Sequence, residues 1–206
     1  MKKIFYIFSF VCATLLLDSC KKEEKTTDSE QTKLDSVQVA DVKNQLDSLI
    51  PAIDSAWAKL DNEDFNKLAV GKKLAEQIGK LPKANKKLLD SVAIYTKAVE
   101  SSKYDQMSMA DSKLIDKFDS AVVNFISVLK RLQKETPNVN KCADCEALLK
   151  FVIDIDDKDV IRRKKYDELL FKYNEIVKNK RKFLEALGGK YMELKEKPVF
   201  TIPANS

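Results

Sequence analysis

The chain has 206 residues, with 37 lysines and arginines, 32 aspartates and glutamates and a formal net charge of +5. It contains no histidine, which excludes a Ser-His-Asp triad, a Cys-His dyad and any zinc or haem site that uses histidine. The two signs of charge are interspersed, so we expect none of the broad basic field that nucleic-acid binding requires, and no nucleic-acid partner.

The N-terminus predicts an export signal. Residues 1–3 form a short positive region and residues 4–17 an apolar stretch, in the order found in secretory signal peptides. The stretch is shorter than the roughly 20 apolar residues of a membrane span, and the residues after it are almost wholly polar, which argues against a buried N-terminal helix. Residues 1–19 are therefore predicted to be a signal peptide.

The end of this signal resembles a bacterial lipobox. Leu17 supplies the branched apolar residue, Ser19 the small one and Cys20 the thiol, while Asp18 departs from the usual small or apolar residue. The resemblance implies that Cys20 carries a diacylglycerol and that the new N-terminal amine is acylated, for example with palmitate. Two or three acyl chains hold a protein stably on a bilayer, whereas one gives only reversible binding. The alternative is a simple secreted protein.

Residues 20–35 are predicted to be the lipidated cysteine and a disordered tether, because residues 25–33 are too polar to bury an apolar surface. Residues 21–24, Lys-Lys-Glu-Glu, resemble the signal that sends some Gram-negative lipoproteins to the outer face of the outer membrane, or they simply begin the tether. We expect a lipid-anchored outer-membrane protein, periplasmic or surface-exposed. Removal of two lysines and one aspartate with residues 1–19 would lower the formal charge from +5 to +4.

Residues 36–206 are predicted to form a helical bundle domain with an extended C-terminal tail. Apolar residues recur at three- and four-residue steps in four segments, which predicts helices there: 42–60, 65–78, 88–99 and 114–132. Two further runs, 148–152 and 166–187, belong to one long helix or to two. Pro51 either lies in the first turn of a helix capped by Ser48 or kinks a helix that began earlier.

Turns are predicted at 79–82 and 136–138, and Gly188-Gly189 predicts a helix C-cap. The tail from Lys195 to Ser206 contains two prolines and is expected to lie extended along the bundle. No segment alternates with a two-residue period. The fold prediction is therefore all-α, an antiparallel bundle of four to five helices around one core.

The stretch 162–189, RRKKYDELLFKYNEIVKNKRKFLEALGG, resembles the C-terminal signature of the LemA family. The matching positions are Arg163, Tyr166, Asp167, Tyr173, Asn174, Val177, Leu184, Ala186 and Gly188. Aspartate replaces the family's first Asn, and Lys180-Arg181 stand where it has Phe-Pro. Residues 54–61, DSAWAKLD, are similar to the family's early Trp segment, although the motif that should follow is missing. The resemblance implies a membrane-tethered helical bundle outside the cytoplasm and adds little about activity.

Cys142 and Cys145 form the one motif with reactive atoms. They would be the only free thiols once Cys12 is removed with the signal and Cys20 is lipidated, and export places them in an oxidising compartment. A redox dithiol would gain from a helix N-terminus, which lowers a thiol pKa. No βαβ pattern surrounds the motif and no histidine follows it, so a small structural disulfide is favoured.

Charged clusters give weaker signals. The runs 162–165 and 178–182 are basic, so they either meet anionic lipid or lipopolysaccharide phosphates or form a solvated face. The cluster Asp154, Asp156, Asp157 and Asp159 lacks the Gly and terminal Glu of an EF-hand loop, so a polar break or helix cap is favoured. Two cysteines cannot complete a four-ligand zinc site, even with help from Asp144 or Glu146.

Three aromatic residues are assigned to the core. Trp57 is predicted to be buried, and Tyr166 and Tyr173, seven residues apart, are predicted to face the core with their hydroxyls in water.

Together these features predict a lipid-anchored cell-envelope protein that acts as a non-catalytic binding or structural module. The alternatives are a thiol–disulfide redox protein that uses Cys142 and Cys145, or a surface-displayed adhesin or inhibitor. We predict no catalytic residue, no metal and no cofactor beyond the lipid on Cys20. The expected partners are the membrane and another envelope protein, and no small-molecule substrate is identified.

Overall fold

The computed structural model describes residues 35–200. The predicted signal peptide, Cys20 and nearly all of the tether lie outside the described residues, as does the end of the tail, so what the sequence predicts for these segments stays a prediction.

The described part of the chain is helical. Its six α-helices are α1 (Ser36–Gly79), α2 (Lys86–Ser101), α3 (Ser112–Glu135), α4 (Cys145–Asp157), α5 (Asp159–Asn179) and α6 (Arg181–Leu187). Three single 3₁₀ turns, Ser108–Ala110, Val139–Lys141 and Gly189–Tyr191, lie in the connections, and residues 35–200 contain no strand. The predicted all-α bundle is confirmed.

The first helix is longer than the sequence pattern indicated. Asp35 caps it by accepting a hydrogen bond from the Val37 N–H at 2.9 Å, and α1 then continues for 44 residues, through Pro51, to Gly79. Of the two interpretations of Pro51, the one in which Ser48 caps a new helix is therefore wrong, and Pro51 lies inside a helix that began earlier. Pro51 cannot donate to the carbonyl of Asp47, but both residues are exposed, so water can reach that carbonyl. At 1.5 Å per residue, α1 is about 66 Å long.

Two clusters of buried side chains lie along α1. Its first part packs with α5, α6 and the tail, and this cluster is centred on Leu46, Ile53, Tyr166, Leu170, Tyr173 and Leu184. Its last part packs with α2, α3 and α4, around Leu74, Ile78, Val92, Phe125, Leu129 and Val152. Gly71 allows α1 to approach α3 closely, because a methyl group at that position would overlap the ring of Phe125. The single core predicted from sequence is thus resolved into two clusters.

The fourth and fifth helices run antiparallel to α1. Lys67 of α1 contacts Asp156, whereas Glu63, one turn earlier, contacts Arg162, which follows Asp156 in the chain. Lys158 separates the end of α4 from the start of α5. The two last apolar runs therefore belong to separate helices.

The last helix ends as predicted. Gly188 follows α6 with a φ of +67°, a backbone conformation that glycine adopts without steric cost. Tyr191 then donates a hydrogen bond to Asp47 of α1 at 2.6 Å. Among residues 35–200, no helix is both long and apolar enough to cross a membrane.

Candidate functional site at the centre of the bundle

Charged and aromatic side chains meet where α1, α3, the end of α4, α5 and the C-terminal tail converge, between the two core clusters. We call this region the waist. Its charged residues are Asp64, Lys67, Asp119, Asp156, Asp159 and Arg163, and its aromatic residues are Trp57, Tyr104, Phe118, Tyr166 and Phe200. The charged and aromatic sets meet at Arg163.

Lys67 is a buried cation, only 2% exposed. Its Nζ lies 3.2 Å from Asp64 and 2.9 Å from Asp156. Burial pulls the pKa of Lys67 down, but the two carboxylates outweigh this effect and the pKa lies above its ordinary value. Burial in turn raises the pKa of Asp64. Lys67 therefore stays charged at neutral pH and ties α1 to α4.

Arg163 joins α5 to α3. Its guanidinium donates two hydrogen bonds to Asp119, at 2.7 and 2.8 Å, and its Nε lies 2.7 Å from Asp159. This two-pronged geometry is the strongest form of an arginine–carboxylate pair. Burial lowers the pKa of Arg163, but Asp119 and Asp159 outweigh that effect and raise it, so the side chain stays charged.

Three other aromatic residues of the waist lie around Phe200, which belongs to the C-terminal tail. Its ring centroid lies 5.8 Å from Tyr166 and 6.4 Å from Trp57, and the guanidinium carbon of Arg163 lies 4.9 Å from it. These distances are typical of aromatic and cation–π contacts. The cavity left among these groups measures about 20 Å³, which is room for one water molecule.

Three side chains of α5 hold the main chain of the tail. Asn174 accepts from the Lys197 N–H at 2.8 Å and donates to the Lys197 carbonyl at 2.7 Å. Asp167 accepts from the Phe200 N–H at 2.9 Å, and Tyr173 donates to the Lys195 carbonyl at 3.1 Å. We call Asp167, Tyr173 and Asn174 the tail clasp. Because these bonds go to backbone groups, they fix the path of the tail whatever side chains it carries.

The structure places several residues of the quoted α5 motif in one row. Arg163, Tyr166, Asp167, Tyr173 and Asn174 all contact or lie beside the tail, since their spacing puts them on one helical face. Sequence reasoning found these residues but not their common task. It missed the charged residues of α1 and α3, because their partners are distant in the chain.

The tyrosines differ from the prediction in one respect. Both face the core, as predicted, and Trp57 is half-buried. The Tyr166 hydroxyl, however, is buried and has no hydrogen-bond partner among the described residues, whereas the Tyr173 hydroxyl bonds to the tail. The expectation of hydroxyls in water is wrong because the tail covers this face of α5.

This difference gives a paired prediction. Tyr166→Phe is expected to leave the free energy of unfolding unchanged or raise it by up to about 1 kcal/mol, because it removes a buried group without a partner. Tyr173→Phe, the matched control, is expected to lower it by about 1 kcal/mol, because it leaves the Lys195 carbonyl unpaired. Urea unfolding of both variants measures this. Equal losses in the two variants would contradict the assignment.

Cys142 and Cys145 are joined by a disulfide, with their Cα atoms 5.5 Å apart. Cys145 begins α4 and is buried. Cys142 is half-buried and packs against the core cluster that the last part of α1 forms with α2, α3 and α4. Gln77 Oε1 lies 3.3 Å from Cys142 Sγ. If the disulfide were reduced, the Cys142 thiol could donate a hydrogen bond to this oxygen. The bridge thus fastens the start of α4 to the loop before it.

Three of the four aspartates in the predicted acidic cluster pair with basic side chains. Asp154 pairs with Lys150, Asp156 with Lys67 and Asp159 with Arg163. Within residues 35–200, no group of three or more cysteine, aspartate or glutamate side chains is arranged to hold a metal ion. The cluster lies at the α4–α5 break, as the helix-break interpretation requires.

Comparison with known proteins adds no relative. No protein-family model, no curated protein and no solved structure matches this chain.

Proposed function

We propose that this chain is a lipid-anchored protein of the cell envelope that acts as a non-catalytic binding or structural module, at the outer membrane. The observation that carries the proposal is the pairing within the waist, where the two cations are matched by four carboxylates from four helices. Groups committed to each other in this way hold helices together, and moving one of them for catalysis would break an ion pair.

The N-terminal motif supports the anchor. A protein whose N-terminus carries two or more acyl chains stays on a bilayer, and the described residues begin at Asp35, fifteen positions after Cys20. The folded domain would then be presented close to the membrane surface. The residues quoted for the LemA resemblance support the same kind of protein, and kinship with that family is part of the proposal.

The anchor is tested by replacing Cys20. Cys20→Ala is expected to release the protein from membranes and to abolish labelling by a fatty-acid analogue, because the acyl chains have no other attachment. The matched control is Cys12→Ala, which lies within the predicted signal and should leave both results unchanged. Membrane retention of the Cys20→Ala protein, without fatty-acid labelling in either variant, would overturn the proposal.

A second candidate function is thiol–disulfide exchange, and the observation that favours it is the Cys142–Cys145 bridge at the start of α4. A structural bridge predicts a reduction potential below about −300 mV. Replacing both cysteines by serine should then lower the free energy of unfolding by about 2 kcal/mol, the value for so short a loop. A less negative potential, with rapid alkylation of Cys142 in the reduced protein, would instead support redox function.

The adhesin or inhibitor alternative shares the anchor and differs in exposure. Protease treatment of intact cells would digest a surface-displayed chain and spare a periplasmic one.

A further inference from the structure

A groove between α1 and α5 is rich in cations. It is lined by Ala56, Lys59 and Leu60 of α1 and by Lys158, Ile161, Arg162 and Lys165 at the start of α5, and its volume is about 260 Å³. We call it the basic groove. Four of its seven lining residues are basic and none is acidic.

The charge of the groove is largely unneutralised. Lys59, Lys158 and Lys165 are exposed, and none of them pairs with a carboxylate within residues 35–200. Arg162 is held by Glu63 and by the Ile155 carbonyl, so it forms part of the wall. Elsewhere on α1, exposed lysines such as Lys72 do find a partner, in that case Glu100 at 2.6 Å.

The groove also has an apolar side. Ala56 and the buried Leu60 belong to its lining, and Ile161, 57% exposed, lies among the three lysines. Unpaired lysines around an apolar surface are complementary to a group that is anionic at one end and apolar at the other. The volume lies slightly below the range of about 300–1,000 Å³ for pockets that enclose drug-sized ligands, so the groove suits a headgroup and not a whole lipid.

We propose that the basic groove binds the phosphoryl headgroup of an anionic lipid in the membrane that carries the protein. This rests on the proposed function, because the anchor brings groove and bilayer together. Lys59 lies about 35 Å along α1 from Ser36 at 1.5 Å per residue. The sixteen residues 20–35 can span up to about 53 Å, so the length of the chain permits α1 to lie against the surface.

The test uses the full chain as cells produce it, reconstituted into vesicles of phosphatidylcholine alone or of an equimolar mixture with phosphatidylglycerol. Lysine acetylation is followed residue by residue. We expect Lys59, Lys158 and Lys165 to react about fivefold more slowly in the anionic vesicles. Lys97, Lys117 and Lys130 serve as an internal control and should react equally in both, because they are exposed and none of them pairs with a carboxylate in the described part of the chain.

Two triple variants with the same change in charge test whether the groove lysines themselves bind the lipid. With a phosphatidylglycerol that carries a photoactivatable headgroup, Lys59/Lys158/Lys165→Gln should reduce cross-linking to residues 56–60 and 158–165 by about tenfold or more. Lys97/Lys117/Lys130→Gln makes the same change in charge and should leave cross-linking unchanged. Equal reactivity of all six lysines, or equal cross-linking of both variants, would overturn the proposal.

Two further measurements distinguish lipid binding from binding of free phosphate, and failure of the groove proposal from failure of the anchor. If inorganic phosphate added to phosphatidylcholine vesicles protects the groove lysines as well as phosphatidylglycerol does, the site binds the free anion and the lipid proposal is overturned. Failure of the anchor is measured independently, by the intact mass of the protein and by its flotation with phosphatidylcholine vesicles. A chain that floats only with anionic vesicles would retain the groove proposal and contradict the anchor.

Discussion

Lys67→Met is expected to lower the free energy of unfolding by about 3 kcal/mol. Methionine retains the unbranched stem but removes the charge, which leaves Asp64 and Asp156 without their shared cation. Loss of one partner from a buried ion pair costs about 3–5 kcal/mol, and the lower end applies because the Asp156 side chain is 34% exposed and partly screened by water. Urea unfolding followed by circular dichroism measures the loss.

The matched control is Lys72→Met. Lys72 lies on the same helix and also pairs with another helix, at 2.6 Å from Glu100, but both side chains are nearly half exposed, at 47% and 46%. Exposed pairs contribute about 0–1 kcal/mol. Equal losses in the two variants would show that the cost comes from the methionine and not from the unpaired carboxylates.

The loss in Lys67→Met should also depend on pH. Burial already raises the pKa of Asp64, and removal of the neighbouring cation raises it further. A carboxyl group with a higher pKa in the folded state binds a proton on folding, so its effect destabilises above that pKa and disappears as the pH falls through it. The variant should therefore approach the parent protein in stability at acidic pH. A constant difference across pH would contradict an electrostatic origin.

Helical periodicity was sufficient to predict where most helices lie. The stripes of α2 and α3 and the glycine at the end of α6 are local features, and each was located from residues a few positions apart. Pro51 was harder to interpret, because its effect depends on whether the carbonyl of Asp47 faces water. That orientation is set by the packing of the neighbouring Leu46 and Ile53 in the core.

The waist could not be predicted in the same way. Lys67 and Asp156 are separated by 89 positions, and Arg163 and Asp119 by 44, and in the sequence each is one of many charged residues. The face of α5 that the tail covers was predictable in part, because the spacing of Tyr166 and Tyr173 placed both side chains on the core-facing side of a helix. What covers that face is a segment with no periodic pattern, so the buried hydroxyl of Tyr166 followed only from the structure.

A second large loss of stability is expected when the tail loses the ring of Phe200. Phe200→Ala is expected to lower the free energy of unfolding by about 2–3 kcal/mol. A fully buried phenylalanine costs about 3–5 kcal/mol when truncated to alanine, and Phe200 is half-buried among Trp57, Tyr104 and Tyr166. The substitution also removes the cation–π contact with Arg163. Main-chain bonds from the tail clasp remain, so the loss should be smaller than for Lys67→Met.

Trp57 supplies a local measurement, because it is the only tryptophan in the chain and stacks on Phe200. Removal of the Phe200 ring lets water reach the indole of Trp57. The fluorescence of folded Phe200→Ala should therefore lie at longer wavelength than that of the parent protein. Phe65→Ala is the control, since Phe65 is 61% exposed on the same helix and should change stability by less than about 0.5 kcal/mol. An unshifted spectrum for Phe200→Ala would mean that the tail does not cover the waist in solution.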